Sequence, residues 1–547
     1  MTHVPVCIVG GGPVGMMLAL QLSGFGVPCV LVNADADSQQ QPRGNTHNAR
    51  TMEIYRRFGL AAALRKLGLP SDYPTDVAYL TRLNGWELTR VVMPSEKEKM
   101  KAVRNAAVTD QIVEPLLRCN QMYVERYVLE HLRTLADVRL RFGWQCIGWT
   151  EAGEQVEVEI EEAGTGRREK FTCSYLVGCD GGQSFVRRKL GIHYSGEATH
   201  ANKAYLSGAM VSTRIRIPRF TSRFPHKLGW QTWTLNAELR SNIISLNGDD
   251  EILMMSQLPS IDDQPDDQLI GQRLISAAGE DLDFSLIGHW KWIPGRALVA
   301  DSYGRGRVLL AGDAVHLFTP TGGFGMNTGV SDTTNLAWKL AAVIQGWGGP
   351  ALLPSYEIEC RPIGLRNTGT ARLYTNNVGK LEIPAEIEED SPRGAAIREQ
   401  IGHAAQDFRE EFASIGIQLG ARYDGSPIIV SDGAQPPPDH PFIYIPSGIP
   451  GGRAPHAWLP DRTSLFDHFG RGFTLLVMTG ARADGSTVAK AAADRRIPLK
   501  LLKIDLPEVR DLYGADFALI RPDQHIAWRG NALPEDMPRI LATVVGH

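Results

Sequence analysis

The stretch Val4–Gly15, VPVCIVGGGPVG, constrains what this chain can fold into more than any other. Val6–Val9 is a short apolar run ending in glycines, which reads as a buried parallel strand. Gly10, Gly12 and Gly15 then fall in the GxGxxG spacing around Pro13, and Met16–Gly24 continues as an apolar helix. In that spacing the first glycine permits a tight turn and the second lets backbone approach a pyrophosphate. The third lets helix and strand pack closely. The helix start offers free N–H groups and a positive dipole end to phosphates. A lone GxGxxG is a weak signal, but this one sits between a strand and a helix, so the expectation is a dinucleotide site. The second strand, Pro28–Val32, is followed by Asn33 where an acid usually binds the ribose. An amide can also bond a hydroxyl, and Asp35 lies close behind.

At 547 residues, two or three domains are expected. Basic residues are scattered rather than clustered, so no nucleic-acid partner is expected. No apolar run approaches the length of a membrane span, and with the first strand beginning beside Met1 no secretory signal is expected. The seven cysteines form no CxxC pair. They read as reduced, buried thiols in a cytoplasmic protein, and no metal is expected.

Along the chain, Arg43 and Arg50 flank the polar segment PRGNTHNAR, placed where a bound pyrophosphate needs neutralising. Gln111–Leu135 reads as one helix, and Tyr175–Gly182 as another buried strand ending in Asp180–Gly181. Residues 200–290 are strand-rich and resemble a meander roofing a pocket. Val308–Asp313 is a third strand, and the loop Pro320–Asn327 with Gly322, Gly323 and Met326 enters a long helix, a second anion-friendly N-terminus. Beyond the proline-rich Ala434–Asp439, residues 440–547 read as a separate α/β unit. Tyr205, Trp230, Trp233 and Met254 have pocket-compatible chemistry on the strand-rich roof, although aromatic residues in a sheet are usually core.

Together these stations resemble the flavin-dependent aromatic hydroxylases of the p-hydroxybenzoate hydroxylase type. The matching pieces are GGGPVG at 10–15, PRGNTHNARTMEI at 42–54, Gln121, GCDGGQSFVRR at 178–188 and AGDAVHLFTPTGGFGMNTGVSD at 311–332. The phenol-hydroxylase branch is the nearest in look, with the 2-hydroxybiphenyl, dichlorophenol and 4-methyl-5-nitrocatechol monooxygenases. The resemblance implies an α/β fold: a Rossmann-like FAD-binding domain (1–75, 106–190 and 291–370) with an inserted β-rich substrate domain (76–105 and 191–290). A helical segment and linker (371–433) would lead to a thioredoxin-like domain (434–547). That last unit contains no cysteine, so thioredoxin-type redox chemistry is excluded there.

The resemblance further implies FAD and NAD(P)H as cofactors, O₂ and a small aromatic compound as substrates, and a homodimer. Arg43 and Gln121 would hold the pyrophosphate and ribityl region, with Asp313 on the ribityl chain or pyrophosphate. Asp180 and Gly181 would belong to a motif serving both FAD and NAD(P)H. Pro320–Asn327 would lie against the isoalloxazine, where a helix N-terminus stabilises negative charge on reduced flavin. The implied chemistry is reduction by NAD(P)H, formation of a flavin C4a-hydroperoxide, and attack on an electron-rich ring. Making a phenol nucleophilic requires a base or relay. The resembled branch carries His two residues after the Arg of the PR motif and Asp before the Gln; here Asn45 and Asn120 stand there. His47 is the candidate replacement, and an acidic nitrophenol or nitrocatechol would need no strong base. His316 reads as a structural histidine.

A flavin-dependent halogenase would call for WxWxIP, and Trp290–Pro294 reads WKWIP, one residue short. A non-catalytic flavoprotein is the reading from a different class, and the intact flavin loop argues against it.

Overall fold

The computed structural model describes residues 2–197, 209–258, 260, 262–293, 297–379 and 381–547. Five parallel strands carry the nucleotide-binding domain, in the spatial order Val308–Leu310, Arg168–Gly178, His3–Val9, Cys29–Asn33 and Val138–Phe142. Their apolar runs are nearly continuous because helices cover both faces, and Val6, Cys7 and Ile8 are fully buried. The helix Pro13–Gly24 leaves the first strand and packs on the helix Phe324–Ile344. Both helix starts therefore converge at one end of the sheet, outside the carboxyl ends of its strands, which is where open α/β sheets bind ligands.

The second sheet has seven strands. Ser285–Trp292, Met210–Arg216, Glu251–Gln257, Arg240–Ser245 and Gln231–Leu235 run antiparallel in that order. Val77–Leu80 joins Gln231–Leu235 in parallel, and Glu87–Val91 closes the edge. The expected strand Ala204–Ile217 begins at Met210; its first residues lie outside the described ones.

The C-terminal unit has four strands in the order Leu499–Ile504, Phe473–Met478, Phe517–Ile520 and Ile526–Gly530, the first pair parallel and the rest antiparallel. With a helix between the first two strands and another at the end, this is a thioredoxin-like arrangement. All seven cysteines are free and buried, none of them in this unit. No described helix is long and apolar enough to cross a membrane.

Two expectations are corrected here. The helix expected over Gln111–Leu135 spans only Gln121–Arg133, with the Asn120 side chain capping its start. Pro115 cannot donate a helical hydrogen bond, and Glu114 is drawn off by Arg56 and Arg65. Arg50 does not face a phosphate. It donates to Glu53, to Gln524 and to the Asp523 carbonyl, fastening the C-terminal unit to the first sheet's domain.

Candidate active site

One cavity of about 1030 Å³ joins the glycine turn, the loop before the long helix and one face of the second sheet. It reaches the upper end of single-ligand pockets and so has room for a dinucleotide with a second molecule beside it.

At the nucleotide end, Gly10 has φ +111°, and a Cβ there would lie 2.3 Å from the Cys179 carbonyl oxygen. Only glycine lets the first strand turn against its neighbour. A Cβ on Gly15 would lie 2.0 Å from the Gly10 carbonyl oxygen, whereas one on Gly12 would meet no atom within 4 Å. The turn is thus closed on its protein side and open on its cavity side. Gly12 precedes the helix without any side-chain cap, and Pro13 occupies the first turn. The uncapped N–H groups are the donors a pyrophosphate would use. Asn33 accepts from the Gly11 N–H at 2.9 Å and donates to the Asp35 carbonyl at 3.2 Å, so its amide also braces the turn.

Arg43, Gln121, Asp180, Gly181 and Asp313 all line the same cavity. Arg43 is exposed to it. The Gln121 backbone donates to the Gly44 carbonyl at 2.7 Å and its side chain donates to Glu125 at 2.6 Å, which fixes the helix start against the PR segment. The Asp180 carboxylate accepts from Ser184 Oγ and the Val186 N–H, so it caps the following helix while bordering the cavity. Asp313 is exposed to the cavity but lies deep within the fold, and that enclosure raises its carboxyl above the ordinary range.

Pro320, Gly322, Gly323 and Met326 form the loop face of the cavity. Gly323 is left-handed (φ +65°) before the helix Phe324–Ile344 and provides no side-chain cap, so a second set of free N–H groups points toward the cavity. This donor set fits FAD at both ends: phosphate at one helix start and the flavin's electron-rich edge at the other.

Asn327 takes a different place. It is 2 % exposed; its Oδ1 accepts from the Asn48 N–H, and its Nδ2 donates to the Thr46 and Gly323 carbonyls. It staples the PR segment to the loop rather than facing the cavity. His316 is buried beside Asp332, Nε2 to Oδ2 2.7 Å. Burial disfavours the charged ring, but Asp332 outweighs it and raises the pKa, consistent with a structural histidine.

His47 is not a candidate base. It is fully buried off the cavity, hydrogen-bonded to the Tyr55 hydroxyl at 3.2 Å, and burial pushes its pKa down to about 4. The alternation of the strand Thr46–His47 explains this: Thr46 lines the cavity and its neighbour must point away. Asn45 and Asn120 do come together, Asn120 Nδ2 donating to Asn45 Oδ1 at 2.6 Å. The two positions that are ionisable in the resembled branch are here an amide pair, which exchanges no proton near neutral pH.

On the second sheet, Trp230 and Trp233 line the cavity, and Met254 does not. Strand period places Leu253 and Met255 on the cavity face and turns Met254 into the opposite core with Ile215 and Ile243. Tyr205 lies outside the described residues. Trp290 and Trp292, from the WKWIP run, also line the cavity.

Two charged residues escaped the sequence reading. Arg118 is 5 % exposed, stacks 3.7 Å over the Trp230 ring and donates to Thr46 Oγ1. Its Nε has no partner, and no carboxylate pairs with it among the described residues. Glu411 enters the wall from the segment Asp407–Phe412. Arg118 stands three residues before Gln121, a hint that was available; Glu411 sits in the acidic run DFREEF, which reads as solvated surface.

Comparison with known proteins agrees with this geometry. The FAD binding domain family model matches residues 3–371, and the aromatic-ring hydroxylase C-terminal model matches residues 447–547. The chain is 31 % identical to the FAD-dependent monooxygenase apdD of Emericella nidulans, over 99 % of this chain and 90 % of that one. It is 29 % identical to a 4-methyl-5-nitrocatechol 5-monooxygenase of a Burkholderia species, over 98 % of this chain and 95 % of that one. Among solved structures, the rebeccamycin biosynthetic enzyme RebC with reduced flavin superposes with a TM-score of 0.88 at 32 % identity, covering 100 % of this chain and 99 % of that one. The chain belongs to the FAD-binding aromatic-ring hydroxylases. It is a flavin-dependent monooxygenase of aromatic compounds.

Proposed function

We propose that this enzyme consumes NAD(P)H and O₂ to hydroxylate a substituted phenol or catechol, and that the reacting ring belongs to a system wider than a single ring. The observation that carries this reading is the single cavity joining the phosphate-binding turn, the flavin loop and a wall holding Trp230, Trp233, Trp290 and Trp292. Four indoles, Trp230 among them with Arg118 stacked on its ring, make an aromatic wall broader than one small ring needs. Where the attacked carbon bears a nitro or halo group, that group leaves.

When bound, FAD supplies the two-electron and oxygen chemistry. The uncapped N–H groups of Val14 and Gly15, with Arg43, would hold the pyrophosphate, and Gln121 and Asp313 would border the ribityl region. The N–H groups at Phe324–Met326 stabilise negative charge at the flavin edge. The tryptophan wall orients the aromatic ring and excludes water, which strengthens every charge interaction inside.

The accompanying proposals are a homodimer and a cytoplasmic location. Ile358, Leu365 and Leu373 stand exposed at helical spacing on Ser355–Gly379, a stripe suited to a second copy. Seven unpaired buried cysteines suit a reducing compartment.

The test is NAD(P)H oxidation in air by the yellow protein across phenols, catechols, naphthols and their nitro and chloro derivatives, with peroxide, nitrite and chloride quantified alongside. Stimulated turnover with little peroxide, strongest for the fused-ring phenols, is the expected result. Stimulation by no hydroxylated ring would overturn the reading.

A further inference from the structure

The amide pair Asn45–Asn120 and the buried His47 leave the substrate region of the cavity without the expected proton acceptor. Of the carboxylates that border the cavity, Asp35 accepts from Gln39, Asp37 from the Ser38 N–H, and Asp180 from Ser184 and Val186. Asp313 lies on the turn assigned to the cofactor. Glu411 differs from all of them. It comes from outside the nucleotide-binding domain, beside Phe408 and Phe412, which pack with Tyr79, Trp230 and Trp233. The Gly322 N–H of the flavin loop donates to its Oε1 at 3.4 Å, and no ion pair closes on it among the described residues.

We propose that Glu411 is the catalytic base of this enzyme: it takes the proton of the substrate's ring hydroxyl, and the buried guanidinium of Arg118 balances the charge that moves onto the ring oxygen. This rests on the hydroxyaromatic reading of the cavity. The step balances without any further reactant. The ring O–H bond breaks, its electron pair stays on the ring oxygen, and an O–H bond forms on the Glu411 carboxylate. One negative charge passes from Glu411 to the ring while Arg118 stays cationic, so the net charge of the buried site is unchanged. Such a transfer avoids the cost of creating a new charge in a dry cavity.

The surroundings match a base that works just above neutral pH, where its carboxylate is ionised. Glu411 keeps intermediate exposure because it borders the cavity, but it is enclosed by protein elsewhere. That enclosure pushes its pKa up to about 8, with the Gly322 N–H and Arg118 pulling back against it. The other groups facing it are Tyr79 from the second sheet and Tyr374 from the helix Ser355–Gly379, both pushed upward by burial, and Glu410 precedes it on its own turn. Neither tyrosine ionises in the working range. A carboxylate with raised pKa is a stronger base than an exposed one, closer to a phenol in proton affinity.

The experiment uses the FAD-loaded protein and 2-naphthol, whose anion absorbs to the red of the neutral form, at a pH just above the Glu411 titration. Binding is read from the flavin spectrum, ionisation from the naphtholate band, proton release with an indicator dye, and carboxyl protonation by infrared difference spectroscopy. In the wild type, the naphtholate band and a protonated-carboxyl band should appear together, with no proton released. In Glu411→Gln, the bound anion fraction should fall about tenfold or more, or each anion formed should release one proton; Glu411→Asp should restore part of the wild-type response. Binding without a protonated-carboxyl band in the wild type overturns the proposal, as does the same band and proton count in Glu411→Gln. The wild-type infrared result stands even if that variant fails to fold. If none of the hydroxylated rings perturbs the flavin spectrum, the hydroxyaromatic reading fails first and the proposal with it.

Discussion

The seam that fastens the C-terminal domain and the wall of the active-site cavity are both built with buried charge, and they treat it in opposite ways. In the seam the charges around Glu359 answer one another. Glu359 accepts from Lys339, from both terminal nitrogens of Arg521, and from Asn335 and Ser426, and Arg521 also pairs with Asp523. Nearby, Arg453 clasps Glu53 with both side chains 1 % exposed. In the cavity wall, Arg118 keeps an unpartnered Nε and Glu411 holds one long hydrogen bond. Closed networks fix geometry, whereas an open buried charge costs stability and is best explained by a ligand that completes it. These contacts brace the C-terminal domain against the rest of the chain.

That contrast predicts opposite responses to truncation. The largest effect should come from Glu359→Ala, which strands Lys339 in a dry interior and takes from Arg521 one of its two carboxylates, and should cost about 3–5 kcal/mol. Because the chain has several domains, the readout is loosening of the C-terminal domain in limited proteolysis together with a lower first unfolding transition. The seam should also fail in acid. Burial alone would raise Glu359, but Arg521 and Lys339 overcome it and hold its pKa at about 2. A carboxyl with depressed folded pKa contributes stability above its unfolded value, and that contribution disappears as pH falls from the ordinary range toward about 2. Denaturation midpoints measured down through that window should drop in the wild type and stay flatter in Glu359→Gln.

At the cofactor end, Gly10→Ala should abolish FAD retention, since its Cβ has no room beside the Cys179 carbonyl; a yellow protein after gel filtration would contradict the turn assignment. Arg43→Ala should weaken FAD binding by about 1.5–3 kcal/mol, the worth of hydrogen bonds to a charged group. A variant that stays fully yellow after dialysis would remove Arg43 from the pyrophosphate site. The smallest stability change belongs to Arg118→Met. Removing an unpaired buried cation should leave unfolding within about 1 kcal/mol of the wild type, while affinity for a hydroxylated ring falls. A loss of stability as large as that of Glu359→Ala would erase the distinction between seam and cavity.

The parts of this account that were legible in the sequence are those where backbone geometry demands a residue type. Gly10, Gly12 and Gly15 announced the turn, and the loop with Gly322 and Gly323 announced the second helix start. What was not legible depends on strand phase or on contacts between distant segments. Met254 and Met255 are equally apolar, and only register decides which one meets the cavity. His47 and Thr46 are adjacent, and one step of alternation put the histidine in the core. Arg50 lies in the right segment for a phosphate, but Glu53 claims it within its own helix, and Gln524 and the Asp523 carbonyl claim it from a domain more than four hundred residues away. Glu411 reads as surface acid until the fold carries its turn against Gly322.

The most direct test of the central claim is incubation of the FAD-loaded enzyme with NAD(P)H, a fused-ring phenol and ¹⁸O₂, with the product weighed by mass spectrometry. The account predicts one ¹⁸O atom in the ring product for each NAD(P)H consumed. Labelled peroxide matching the NAD(P)H consumed, with the phenol recovered unchanged, would contradict it.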